Sequence, residues 1–249
     1  TVRALLEGVA ERRCDGSRRV AAVAQARAFV PAFDASQREA FAEAVAADPI
    51  TLVQGPPGTG KTYVLARIVT ALAAAGQRVL VVSYTHRAVN NALRMIAAAD
   101  GSLTVAKAGK ASGADDLRGS RVAVVPSIRR LPAGRDPRRV VGATLFSLKA
   151  VWEEDASDVV VVDEAAQIPL TFAPCALLAA PRSVLVGDHR QLGPIVQGRH
   201  IDPLAARSVF AHLADTYPPA LLLTTYRMNA GVNEFPSRVF YEGRLAPEA

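Results

Sequence analysis

The sequence predicts an α/β fold, a three-layer domain with a mostly parallel central sheet. Three observations carry this. The runs Ile50–Val53, Val79–Val82 and Val159–Val162 are apolar but for Thr51, which is β-branched, as expected of strands buried on both faces. Helix-periodic segments fill the intervals, so the strands should join by right-handed crossovers and lie parallel. Finally, such strands end in polar or acidic residues, at the edge where open α/β sheets hold their ligands.

Taken in order, residues 1–30 read as a basic helical flank, with Arg12, Arg13, Arg18 and Arg19 around a break at Cys14-Asp15-Gly16-Ser17. Residues 31–249 read as one large α/β unit. Ser36 with Glu39 has the spacing of a capping box, so a helix should start there. Gln37 lies in its first turn, and its amide has the donor and acceptor that suit the edge of adenine.

Ile50–Val53 then runs into Gly55-Pro56-Pro57-Gly58-Thr59-Gly60-Lys61-Thr62, which fits G-x-x-x-x-G-K-T, and a helical pattern follows. Strand, glycine loop and helix are the context in which this octet binds the phosphates of a nucleoside triphosphate. Glycines let successive N–H groups approach the anion, and the helix start adds positive potential. Lys61 is expected at the β- and γ-phosphates, and the Thr62 hydroxyl on Mg²⁺.

A second strand, Arg78–Ser83, leads into Tyr84-Thr85-His86-Arg87 and a helix from Ala88 to Ala99. The small polar groups Ser83, Thr85, Asn90 and Asn91 suit a sugar–phosphate backbone, although Ser and Thr at a helix start are also common caps. Residues 100–139 read as a basic insertion leaving the core, with Arg118, Arg121, Arg129, Arg130, Arg135, Arg138 and Arg139 exceeding the local acids and short apolar pieces at 103–106 and 122–125. Another strand is expected within 140–147. Asp158-Val-Val-Val-Val-Asp163-Glu164 places two carboxylates at a strand end. Asp163 suits the Mg²⁺ shell, and Glu164 is placed to orient and deprotonate an attacking water. Residues 183–194 repeat the pattern, with Gly187-Asp188 and then Gln191 in a polar loop. A helix near 203–214, a strand near 220–224 and a helix over 229–240 should complete the unit, with Tyr226 and Arg227 in the turn between the last two.

Composition bounds the rest. Half of the 249 residues are hydrophobic, enough for a sizeable core. No apolar run is long enough to span a bilayer, and no secretory signal opens the chain, so the expectation is an intracellular protein of the cytoplasm, nucleoid or nucleus. Two cysteines, Cys14 and Cys175, indicate neither a disulfide framework nor zinc. The histidines, His86, His189, His200 and His212, have no metal-ligand spacing. A net charge of +6 and pI near 9.7, carried mostly by arginine, favour a polyanionic partner.

In order and spacing, residues 31–245 resemble the first motor lobe of superfamily 1 helicases of the 5′-to-3′ branch. The resemblance implies a RecA-like P-loop NTPase fold, ATP and Mg²⁺ as cofactors, and a single strand of DNA or RNA as partner. Ser36-Gln37 resembles the adenine-reading motif, Gly55–Thr62 the Walker A loop and Asp163-Glu164-Ala165-Ala166-Gln167 the Walker B motif. Ser83–Asn91 and Val141–Thr144 resemble the motifs that touch the strand, which assigns Ser83, Thr85, His86 and Thr144 to it. Gly187–Val196 resembles the motif whose glutamine, Gln191, couples γ-phosphate to strand binding. The Tyr226-Arg227-Met228 segment implies a tyrosine packed on the nucleotide base and an arginine at the γ-phosphate. His189, Gly193, Thr225 and Asn229-Ala230 depart from the family pattern. The resemblance further implies a second RecA-like lobe, for which no residues after Leu245 suffice. The expected function is ATP-driven translocation on, or unwinding of, nucleic acid. A non-unwinding ATPase that remodels protein–nucleic-acid complexes and a non-catalytic nucleotide switch are the alternatives.

Overall fold

The computed structural model describes residues 2–29, 32–110, 113–127, 138–148, 157–195, 198 and 202–248. Helices α1 (Val2–Leu6) and α2 (Gly16–Phe29) precede α3 (Ala35–Ala46), and a short antiparallel ribbon pairs β1 (Arg13–Cys14) with β2 (Ala47–Asp48). The body is an eight-stranded sheet of β3 (Ile50–Gln54), β4 (Val79–Ser83), β5 (Thr104–Ala108), β6 (Ala123–Val125), β7 (Arg139–Thr144), β8 (Val159–Val162), β9 (Arg182–Gly187) and β10 (Ala220–Leu221). The strand order is β10-β3-β9-β8-β4-β7-β5-β6, and each neighbouring pair is parallel.

Side-chain alternation along these strands builds two cores. Val159 and Val161 join one cluster with residues of α2, α3, α4 (Lys61–Ala74) and α5 (His86–Ala99), whereas Val160 and Val162 join the other with Ala173, Ala176, Leu177, Phe210 and Leu213. A strand that is apolar at both parities must be covered on both faces. The result is the three-layer arrangement expected from the sequence. Among the described residues no helix is long and apolar enough to cross a membrane.

Several sequence expectations change. The helix after residue 34 is capped by Asp34 rather than Ser36: the Asp34 carboxylate accepts from the Gln37 N–H at 2.8 Å, and the Gln37 side chain accepts from the Asp34 N–H at 3.2 Å. The Ser36 hydroxyl instead donates to Asp34 at 2.6 Å and accepts from the Leu223 N–H at 2.9 Å. The basic flank also packs onto the body. Ala22 and Ala26 of α2 are buried in the first core, Leu5 in the second, and Arg18 and Arg19 pair with Asp48 and Glu39.

Residues 104–108 and 123–125 do not leave the core, because as β5 and β6 they extend the central sheet beyond β7. Part of that segment's charge is spent locally. Arg121 donates to the carbonyls of Ala97 and Gly101, and Arg118 pairs with Asp115. Arg129, Arg130 and Arg135 lie outside the described residues, as do Val196 and His200. The strand expected near 220–224 divides. Ala220–Leu221 edges the main sheet, while β11 (Thr224–Thr225) leaves it to pair with β12 (Ala246–Pro247).

Candidate nucleotide site at the carboxyl edge of the sheet

The loop from Gly55 to Gly60 is shaped by positions that exclude side chains. Gly58 and Gly60 have φ of +79° and +78°, which favours glycine. A Cβ on Gly55 would lie 2.1 Å from Lys61 Cγ, and one on Gly58 would lie 2.4 Å from Arg227 Cβ. The loop is also tied to its surroundings. The Gly55 N–H donates to the Gly187 carbonyl at 3.0 Å, the Tyr226 N–H to the Gly58 carbonyl at 2.9 Å, and the Thr225 hydroxyl to the Pro57 carbonyl at 2.9 Å. Thr225, which departs from the family pattern, thus contributes a loop contact of its own.

A cavity of about 810 Å³ lies above the loop, lined by Pro57 to Tyr63 together with Glu164, Gln191, Tyr226 and Arg227. Its size suits a nucleotide. Lys61 closes one end, with its ammonium donating to the Gly55 carbonyl at 2.7 Å. Of the sequence-assigned nucleotide-site residues, Pro57 to Thr62, Glu164, Gln191, Tyr226 and Arg227 thus border one space from four separate segments, whereas Gln37, Gly55, Pro56 and Asp163 do not line it. Gln37 lies below it. Its amide donates to the Thr59 carbonyl at 3.1 Å while its oxygen serves the Asp34 cap, so in this structure it braces the loop rather than presenting a free edge to adenine. The Tyr226 hydroxyl donates to Asp34 at 2.9 Å. Burial, and then the Asp34 carboxylate, push that hydroxyl's pKa up to about 12.

The two acids at the end of β8 face different environments. Asp163 is 3% exposed, and burial, reinforced by the Glu164 charge, pushes its pKa from an ordinary 3.8 up to about 7. Among the described residues the one hydrogen bond to its carboxylate comes from the Glu164 N–H at 3.0 Å. A buried carboxylate with so few donors, next to a phosphate loop, has the chemistry that suits a divalent cation. Glu164 has φ of +52°, a strained conformation for a residue with a Cβ, and its side chain lines the cavity.

The shifted titration makes a testable statement about stability. Between about pH 4 and pH 7 the folded state holds a proton on Asp163 that the unfolded chain has released, so this contribution is fully present below pH 4 and is lost progressively as pH rises to 7. Without Mg²⁺, Asp163→Asn is expected to raise the thermal midpoint at pH 8, by about 2–4 °C for each kcal/mol of burial cost removed. At pH 5 the rise should be smaller, because the loss accumulates between the two pKa values and is only partly developed there. Thermal unfolding at both pH values checks this, and an equal shift at both would overturn it.

Asp188 carries a network that the sequence did not reveal. It is 2% exposed at the end of β9. It accepts from Gln54 Nε2 at 3.0 Å, the Arg190 N–H at 3.2 Å, Gln191 Nε2 at 2.6 Å and the Tyr241 hydroxyl at 2.7 Å. An ionised carboxylate only accepts, so it fixes which end of the Gln191 amide faces it. The repeat of a strand ending in Gly-Asp was the one local signal for this residue. His189, beside it, stacks on Phe210 with ring centroids 5.8 Å apart.

The residues assigned to a nucleic-acid strand are distributed unevenly. Ser83 and Thr144 end neighbouring strands in register, but both are buried, at 0% and 3% exposure. Thr85 and His86 are exposed. The Thr85 hydroxyl accepts from the Ala88 N–H at 3.2 Å as the cap of α5, and the His86 ring lies against the backbone of Gly113.

Comparisons place this geometry among known proteins. The AAA domain family model matches residues 32–218. The DNA replication ATP-dependent helicase/nuclease of Schizosaccharomyces pombe is 31% identical over 228 residues, covering 87% of this chain and 16% of that protein. The Homo sapiens counterpart is 33% identical over 219 residues, covering 84% and 20%. The chain thus spans about a fifth or less of the length of these relatives. Among solved structures, an arterivirus nonstructural protein 10 helicase in complex with DNA aligns with a TM-score of 0.54 at 18% identity, covering 86% of this chain and 43% of that one. This last likeness supports the fold.

Proposed function

This chain belongs to the AAA domain family, with superfamily 1 helicases as its relatives, and from that premise we propose that it is the first motor lobe of a helicase or translocase. It would bind ATP with Mg²⁺ and couple hydrolysis to movement along single-stranded DNA or RNA. The observation that carries this reading is the convergence of Lys61, Glu164, Gln191 and Arg227 on one cavity above the glycine loop.

In the proposed reaction a water attacks the γ-phosphate. Glu164 orients that water and takes its proton, and Lys61 and Arg227 balance charge developing on the phosphate oxygens. Thr62 and Asp163 would hold the magnesium ion, which supplies charge neutralisation at the phosphates. Gln191, oriented by Asp188, senses the γ-phosphate position. Because Asp188 also holds Gln54, next to the loop, and Tyr241, after the last helix, a change at Gln191 has a hydrogen-bonded route to both. Tyr226 packs on the base, and a second RecA-like lobe, as the greater length of the relatives suggests, closes over Arg227.

The test is ATP hydrolysis with and without single-stranded DNA or RNA, with strand displacement measured alongside. In the full-length protein wild type should be stimulated by the strand, whereas residues 1–249 alone should hydrolyse ATP weakly and respond to it little. Lys61→Ala should weaken binding of a fluorescent ATP analogue by roughly 10- to 100-fold, the range for losing a charge-assisted hydrogen-bond donor. Unchanged affinity in that variant would remove the phosphate-loop assignment. ATP hydrolysis by the full-length protein without strand stimulation would remove the motor.

A further inference from the structure

Three aromatic rings meet at the same carboxyl edge, outside the nucleotide cavity. Tyr84 follows β4, Phe146 follows β7, and Phe172 ends the turn Leu170–Phe172. Their centroids are 5.4 Å apart for Tyr84–Phe146, 5.9 Å for Phe146–Phe172 and 6.3 Å for Tyr84–Phe172, all edge-to-face. Phe146 nevertheless remains 65% exposed. Its position is not that of a loose surface residue. The turn that carries it is anchored on both sides by buried Leu145 and Leu148, and two rings pack against it. The fold therefore holds a large apolar side chain out to water.

The surroundings suit a polyanion that carries flat apolar groups. Tyr84 leads directly into Thr85 and Arg87, which line a recess of about 650 Å³ with Asn91, Arg94 and Gln167. Asp116 and Glu164 are the carboxylates in that lining, and Glu164, Arg87 and Asn91 also line the nucleotide cavity, so the recess and the cavity adjoin. Hydroxyl, amide and guanidinium groups beside an exposed ring match a strand whose phosphates are held by polar groups and whose bases stack on an aromatic face.

We propose that Phe146, supported by Tyr84 and Phe172, is a stacking platform for an unpaired nucleobase, with Thr85 and Arg87 beside it on the flanking backbone. This rests on the motor reading above for the presence of a strand, and adds which side chain grips a base. Stacking is indifferent to base identity, because every base has a π-face. The platform therefore holds a strand without reading its sequence.

The experiment measures binding by fluorescence anisotropy, at one salt concentration, of an oligothymidylate, an oligouridylate and an abasic strand of equal length. Wild type should bind the base-bearing strand more tightly than the abasic one. Phe146→Ala should lose about 5- to 100-fold on the base-bearing strand, the range for one base–aromatic stack. It should lose little on the abasic strand, and Phe146→Trp should keep the wild-type preference. The comparison of thymidylate with uridylate tells which class of strand, DNA or RNA, the track accepts, and the Phe146 effect should follow whichever binds. Equal losses on base-bearing and abasic strands, or no loss on either, would overturn the platform while leaving the motor reading intact. Failure of wild type to bind any strand would overturn both.

Discussion

Glu164→Gln is expected to leave ATP binding at wild-type affinity and to slow strand-stimulated hydrolysis by roughly 10²–10⁴-fold, the usual contribution of a general base. The expectation follows from how the end of β8 divides its two acids. Strand alternation sends Asp163 into the buried floor, where it is 3% exposed. The left-handed backbone at Glu164 then turns the next side chain into the cavity that Lys61 and Gln191 also line. Glutamine keeps the shape and the hydrogen-bonding reach but cannot take a proton at neutral pH. Contacts to bound ATP should therefore survive while the chemical step fails, so kcat falls and KM does not rise. Single-turnover hydrolysis beside an equilibrium nucleotide titration separates the two. Turnover within a few-fold of wild type would assign the base elsewhere, and a parallel loss of ATP affinity would mean that Glu164 shapes the pocket instead.

The second large effect is expected at Arg227. Arg227→Ala should lower strand-stimulated kcat by about 10³-fold or more, the scale on which an arginine at a transferring phosphate acts. Arg227→Lys should recover only part of this, because an ammonium cannot reproduce the planar two-donor contact. The structure supports this ranking through the backbone. Arg227 sits against Gly58 so closely that a Cβ on that glycine would be 2.4 Å from Arg227 Cβ, and the Tyr226 N–H is bonded to the Gly58 carbonyl. The base of the side chain is thereby fixed to the phosphate loop, while the residue as a whole remains exposed for a closing lobe to order. Steady-state ATPase with saturating single strand measures the effect. A loss smaller than tenfold for the alanine variant would place the γ-phosphate arginine elsewhere.

Some of this molecule was determined by sequence alone, because the physics involved is local. The octet Gly55–Thr62 specifies its own backbone, since two of its positions have positive φ and another has no room for a Cβ. Four consecutive valines in β8 require cover on both faces, so the layered parallel sheet follows from covalent pleating and burial. Asp163 and Glu164 could be read as a pair at a strand end for the same reason. Other features were decided only when distant segments met. On paper Ser36-x-x-Glu39 reads as the cap. In the structure Asp34-x-x-Gln37 takes that place, in a fold where the Leu223 N–H donates to the Ser36 hydroxyl and the Gln37 amide donates to the Thr59 carbonyl. Residues 100–139 read as a basic excursion, their apolar pieces at 103–106 and 122–125 being short, and 104–108 and 123–125 become strands because β7 offers an open edge. Asp188 gathers donors from Gln54 and Tyr241, 134 and 53 residues away in sequence, and the Tyr84, Phe146 and Phe172 rings come from three separate loops. Conformation and burial pattern propagate over a few neighbouring residues and can be read from them. Hydrogen bonds and ring contacts between remote segments depend on strand order, and the tertiary fold alone sets that order.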